Sequence, residues 1–373
     1  MTNKKIMEIE RLRGVAVLMV LFVHADFFNQ KLPFWVKQTW SGVDLFFVIS
    51  GYIVSFSLFK YLPTYSSDEN IFMRFKKTIP TLKEFYKRRI YRIFPLSFFW
   101  AIVPLTLAYA LNANIGFPGI SRYTVMQEIF SVLTFQYNFA AANNLIPGFL
   151  GNYWSLSVEE QFYFLLPILL IWFPTDQKRI KFFLIVSAIT AFFVRPFIPY
   201  TGAPEYEDVW IRFTSYLRFD SIFMGVCLFI LKHNSKLEIN NLKKPMAHLW
   251  TLLFIGILWL LPGILIHGAF NRSIYTVLTI ASLGLVLLAS EDKDYVLDIP
   301  IVKTVLEYVG TRSFALYVIN FISLKFLKEF QTSLNYSDFT MGLIWLALTF
   351  ILAELSFRFI ETPFIKLGRK TIS

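Results

Sequence analysis

The chain has 373 residues, of which 56% are hydrophobic, 18% aromatic and only 16% charged, with a formal net charge of +11. A soluble domain carries roughly 25% charged residues, and ten spans of roughly 20 residues would use about 200 apolar positions. A soluble globular enzyme, a disordered chain and a disulfide scaffold are therefore excluded, the last also because Cys227 is the single cysteine. The apolar runs are continuous rather than alternating, which disfavours a membrane β-barrel. The basic residues sit between apolar runs, as topology signals and lipid-headgroup contacts do, and not in a nucleic-acid patch.

In chain order the sequence reads as ten spans, near 12–28, 41–59, 91–111, 153–173, 180–198, 213–231, 247–266, 273–290, 311–330 and 341–361. The expected fold is all-α, a polytopic transmembrane helical bundle. It forms a single membrane domain over 8–365, with tails 1–7 and 366–373 and no soluble domain. No cleavable signal peptide is expected, because the first apolar run is long enough to anchor. The weaker apolar stretch 124–140 holds Gln127, Glu128, Gln136 and Asn138. It reads as an interfacial or re-entrant helix on the outer side. With the N-terminus inside, the inner segments hold 26 of the 36 Lys and Arg and the outer segments eight. That asymmetry places both termini in the cytoplasm, and the expected location is the inner (plasma) membrane, among membrane lipids. No internal repeat is evident, which weakens an inverted-repeat transporter.

Ionisable groups inside spans are costly, so each is a functional candidate. In the first span Arg13 and His24 are eleven residues apart. That spacing puts them on one helical face, about 16 Å apart along the axis. A snorkelling arginine and a hydrogen-bonded interfacial histidine would give the same pattern. Asp44 opens the second span, and Trp154, Glu159, Glu160 and Tyr163 open the fourth. His24, Asp44 and Glu159 or Glu160 thus come to similar depth, and a histidine with carboxylate partners is the minimum for general-base chemistry. An interhelical salt-bridge network is the bland alternative.

At the inner side Arg88, Arg89 and Arg92 make a guanidinium cluster expected on the first turns of the third span. Cations oppose the dipole there, so a phosphate of a soluble cofactor or of a lipid headgroup is expected as compensation. Topology signalling alone is the competing explanation. Arg218 and Asp220 are two residues apart, so each should find a partner on another span. His233 and His248 fall in or beside an inner basic loop and His267 in an outer loop, with no zinc-type spacing, so no metal is expected. There is no P-loop and no dinucleotide fingerprint.

Taken together, Arg13-X10-His24, Gly42-Val-Asp44-Leu-Phe-Phe-Val-Ile-Ser-Gly51, Arg88-Arg89-Ile-Tyr-Arg92-Ile-Phe-Pro95, Trp154-Ser-Leu-Ser-Val-Glu159-Glu160-Gln-Phe-Tyr163, Arg218-X-Asp220 to Gly225 and Phe359-Ile-Glu361-Thr-Pro363 resemble the integral-membrane acyltransferase 3 family. The match runs in order from residue 8 to about 365. The resemblance implies ten spans, a cytoplasmic acyl-CoA donor, usually acetyl-CoA, and O-acylation of a glycan or glycolipid. It also implies that Arg13 and His24 are essential and that Arg88, Arg89 and Arg92 bind the donor. Many members carry a histidine late in the ninth span, where this chain has Asn320. Some append an extracytoplasmic hydrolase-like domain, which is not expected here.

The expected function is that of a membrane O-acyltransferase moving an acetyl or other acyl group from acyl-CoA to a glycan hydroxyl. His24 would act as base or transient acyl carrier, and Arg13, Glu159 and Asp44 would complete the catalytic set. Trp154, Glu160, Tyr163, Arg218 and Asp220 are the candidates for binding the acceptor. One rival is a transporter of a lipid-linked sugar or small metabolite with His24 and carboxylates as a proton relay. Another is a non-catalytic membrane scaffold. Binding of CoA from the inner side separates the enzyme from both.

Overall fold

The computed structural model describes residues 5–29, 31–66, 68–115, 120–202, 206–239, 241–265, 271–334 and 336–370. His267 lies outside them. Among the described residues the regular structure is entirely helical. The principal helices are α1 (Met7–Val23), α2 (Gly42–Phe59), α3 (Ile71–Ile115), α4 (Arg122–Leu133), α5 (Tyr137–Ala142), α6 (Tyr153–Trp172), α7 (Asp176–Ile189), α8 (Glu207–Phe213), α9 (Phe219–His233), α10 (Lys244–Leu265), α11 (Ile274–Ala289), α12 (Pro300–Thr311), α13 (Ser313–Leu334), α14 (Asp338–Ser356) and α15 (Thr362–Lys370). The ten expected spans all overlap helical segments. Phe34–Phe59, Ile71–Leu111, Tyr153–Trp172, Asp176–Phe197, Lys244–Leu265 and Asp338–Lys370 are long and apolar enough to cross a membrane. The chain is a multi-pass helical membrane protein.

Several boundaries differ from the sequence reading, each for an identifiable reason. The first helix stops at Val23 instead of running to 28. Asp26 N–H bonds the His24 carbonyl at 2.8 Å and Phe28 N–H bonds the Ala25 carbonyl at 2.9 Å, which turns the chain. The His24 and Asp26 side chains both reach α13. Two residues apart on a continuous helix they would point about 200° from one another, so the break is what lets one helix receive both.

The third span extends upstream into a 45-residue helix beginning at Ile71. Phe72, Phe75, Ile79, Leu82 and Tyr86 recur at helical spacing. This corrects the placement of Arg88, Arg89 and Arg92: they lie mid-helix, so the dipole argument for a bound anion does not apply. The sixth span starts only at Phe219, with Arg218 at the position preceding the helix. The stretch 124–140 is two helices, α4 and α5, joined through Phe135 at φ 55. Widened π turns at Thr190–Val194 and Phe357–Glu361 each precede a proline, Pro196 and Pro363. A proline lacks the N–H and its ring collides with the carbonyl one turn back.

The chain forms two compact units. The first comprises Met1–Val23, Leu32–Thr81 and Phe162–Ser313. Its most extensive helix pairing is α2 with α9. A Cβ on Gly51 would sit 2.1 Å from the Ile222 carbonyl oxygen, and one on Gly225 would sit 2.2 Å from that of Val48. Only glycine permits this backbone approach, the usual means of packing helices in lipid. At the N-terminal end of α1, Arg11 bonds Glu307 at 2.8 Å and Asp294 at 2.9 Å, while the Glu8 carboxylate accepts the backbone N–H groups of Asp294 and Val296.

Hydrogen bonds from Lys303 and then Arg11 hold the Asp294 carboxyl down to about 2, below its ordinary 3.8. A depressed carboxylate stabilises the fold fully above its unfolded value and loses that contribution as pH falls toward the folded one, here between about pH 4 and pH 2. The thermal midpoint of the wild type should therefore exceed that of Asp294→Asn at pH 5, and the gap should narrow by pH 3. A gap independent of pH would refute the assignment.

The second unit comprises His24–Lys31, Leu82–Gln161 and Phe314–Ser373. Tyr153 at the start of α6 donates its hydroxyl to the Ser97 carbonyl on α3 at 2.6 Å. Trp100 on α3 donates its indole N–H to Ser356 on α14 at 3.0 Å. Glu128, buried on α4, accepts the backbone N–H groups of Phe149 and Leu150 and the hydroxyl of Tyr137, fastening the segment before α6.

Candidate active site

The second unit gathers a polar cluster around His24. The imidazole is half-buried, and its Nδ1 lies 2.7 Å from Asn320 Oδ1. The ring also stacks at a tilt on Phe321, with centroids 5.0 Å apart. Asn320 is fully buried on α13, two turns into an otherwise apolar run. Its amide nitrogen donates to the carbonyls of Leu316 at 2.9 Å and Tyr317 at 2.7 Å. The backbone carbonyl of Asn320 accepts the indole N–H of Trp345 on α14 at 2.9 Å. The amide of Asn152 donates to the carbonyls of Tyr317 and Val318, and the Tyr317 hydroxyl is hydrogen-bonded to Ser155. Asp26 and Lys328 form an ion pair and are the charged groups that face His24.

The other candidates divide between the units. Trp154, Glu159, Glu160, Arg88, Arg89 and Arg92 belong with His24 in the second. Trp154 is buried, and the two glutamates are half-buried on consecutive positions of α6. The charge of Arg89 faces Glu160. Arg88 bonds Glu84 at 3.2 Å, and the Arg89 guanidinium lies 5.7 Å from the Phe85 ring centre.

Arg13, Asp44, Tyr163, Arg218 and Asp220 belong to the first unit. Arg13 pairs with Glu10 one turn back at 3.2 Å. Tyr163 shares a hydrogen bond with Ser50. Arg218 and Asp44 form an ion pair at 2.5 Å in which neither side chain exposes any surface. Asp220 pairs with Arg195, which also donates to the Leu217 carbonyl. The expected partners on other elements for Arg218 and Asp220 are thus supplied within the bundle.

The sequence reading passed over Asn152, Ser155, Tyr317, Lys328 and Trp345, and it noted Asn320 without giving it a role. Asn152 and Ser155 lie some 160 residues from their partners, so no local pattern announces them. The polar pair Asn320 and Ser323, one turn apart in a largely apolar stretch, is the one signal available. Among the described residues no group of three or more His, Cys, Asp or Glu converges as a metal site would.

A multi-pass helical membrane protein with a half-buried, hydrogen-bonded histidine is the class that fold and site define. The chain belongs to the acyltransferase 3 family: the family model described as an acyltransferase domain matches residues 7–356. It is 26% identical to the peptidoglycan O-acetyltransferase OatA of Listeria monocytogenes over 98% of this chain and 57% of that protein. It is 25% identical to the O-acetyltransferase OatA of Staphylococcus aureus over 98% of this chain and 58% of that protein. The chain therefore spans a little over half the length of these relatives. No solved structure matches it.

Proposed function

We propose that the protein is an O-acyltransferase that moves an acyl group, acetyl first among the candidates, from acyl-CoA on the cytoplasmic side to a hydroxyl of a cell-surface glycan or its lipid-linked precursor. Peptidoglycan is the leading glycan, because a relative is named for it. The observation that carries the reading is the imidazole of His24, hydrogen-bonded through Nδ1 and half-buried, in one unit with the arginines of α3. His24 takes the proton of the acceptor hydroxyl. The resulting oxygen attacks the thioester carbonyl, the C–S bond breaks, and CoA leaves as a thiol once protonated. Trp154, Glu159 and Glu160 line the acceptor side of this reading. The buried ion pairs of Asp44 with Arg218 and of Asp220 with Arg195 favour a framing role for those four residues. The membrane is the inner (plasma) membrane, with both termini cytoplasmic. Mass spectrometry of surface glycans from cells with and without the chain tests the reading: loss of O-acyl groups is expected, and unchanged glycans would overturn it.

The arginines of α3 are assigned to the phosphates of CoA. Arg89→Ala and Arg92→Ala should each weaken donor binding by roughly 1.5–3 kcal/mol, the worth of a charged hydrogen bond. Arg92→Lys should recover only part, since a point charge does not replace a bidentate fork. Equilibrium binding of labelled CoA checks this, and unchanged affinity in both alanine variants would return the cluster to topology signalling.

A further inference from the structure

We infer that Asn320 is the positioning residue that fixes the tautomer of His24, so that Nδ1 carries the ring proton and Nε2 is the atom that accepts the proton of the acceptor. This deepens the proposed reaction and rests on it. The inference follows from counting donors and acceptors. An amide side chain presents one acceptor oxygen and one donor nitrogen. The Asn320 nitrogen lies 2.9 Å and 2.7 Å from the carbonyl oxygens of Leu316 and Tyr317. Carbonyl oxygens only accept, so the nitrogen must face them and the orientation of the amide is decided chemically. Its oxygen then faces His24 Nδ1 at 2.7 Å. An amide oxygen only accepts, so Nδ1 must donate. In the neutral imidazole the remaining nitrogen, Nε2, is then unprotonated. Among the described residues Nε2 has no hydrogen-bond partner, and the ring is half-buried rather than sealed.

The support extends one layer further. The backbone carbonyl of Asn320 accepts the indole N–H of Trp345, and the backbone carbonyl of Tyr317 accepts from Asn152 as well as from Asn320. The amide therefore sits on a helical turn tied to α14 and to the segment before α6. A free imidazole places its proton preferentially on the other nitrogen, so an untethered ring would leave the base at the wrong atom for most of the time. A buried asparagine here does what an ionised orienting carboxylate does in hydrolase triads, without adding a buried charge.

The test uses the full chain, purified in detergent and labelled with nitrogen-15 at histidine. Long-range nitrogen–proton correlation spectra at a pH where His24 is neutral should show Nδ1 protonated and Nε2 unprotonated. The His24 signals are identified by their loss in His24→Ala. Protonation at Nε2 in the wild type would overturn the inference whatever any variant does. Asn320→Leu keeps the branched side-chain shape and removes both the acceptor oxygen and the donor nitrogen. It should give a mixed or reversed tautomer and lower kcat at least about tenfold, by analogy with the loss of a triad orienter, with KM for the acyl donor within about twofold. A wild-type tautomer and kcat in that variant would also overturn it. Should Asn320→Leu fail to fold, the wild-type spectrum still decides. Acetyl transfer by the wild type, measured separately, tests the proposed function, so the failure of one statement is distinguishable from the failure of the other.

Discussion

Replacing His24 with alanine is expected to lower acyl transfer by roughly 10²–10⁴-fold, the range a positioned general base supplies, while leaving expression and CoA binding nearly intact. His24 stands just past the end of α1, in a turn, with its Nδ1 engaged by Asn320 and its ring against Phe321. Those contacts orient the ring but contribute little to the packing of α1 itself, so the folded state should survive the change. His24→Gln keeps a hydrogen-bonding side chain and removes the titratable nitrogen. It should be as inactive as alanine if proton transfer is what the residue supplies. The measurement is transfer of label from acetyl-CoA to the acceptor by purified protein. Retention of activity within a few-fold in His24→Ala would make the imidazole a structural group, and Glu159 would then be the first carboxylate to test as the base.

Arg218→Ala is expected to destabilise the protein by about 3–5 kcal/mol, the cost of stranding one partner of a buried ion pair. Its guanidinium bonds Asp44, lies 4.3 Å from the centre of the Tyr275 ring, and exposes no surface. Without it the Asp44 carboxylate has no countercharge on its own pair. Replacing both residues with leucine should cost much less than the single change, because no charge is left buried. Thermal midpoints in detergent for the wild type, the single variants and the pair check this. A single variant as stable as the wild type but inactive would show that the pair serves the acceptor and not the frame.

The hydrophobic period located the apolar helical segments, six of them long and apolar enough to cross a membrane, because each segment must be apolar along its own length to enter lipid. That property is local, and it is readable one segment at a time. The same locality revealed the unusual polar residues: His24, Asp44, Arg218 and Asp220 each interrupt an apolar run at a cost that demands a reason. It also located the residues that match the family pattern, since their order along the chain survives without any structure.

Which of those groups meet was decided only by the tertiary structure. Asp44 and Glu159 looked equally able to serve His24, yet Asp44 is claimed by Arg218, 174 residues away, and Asp220 by Arg195. The His24 ring is held by an uncharged amide, 296 residues away, whose own orientation depends on the carbonyls of its helix. The end of α1 at Val23 was equally hidden. Propensity continues the helix, whereas His24 and Asp26, bound to Asn320 and Lys328 on one helix, require a turn. Pairing across such separations depends on helix rotation and depth. No pattern within a single segment encodes either of these, because they emerge from how glycines such as Gly51 and Gly225 let backbones approach.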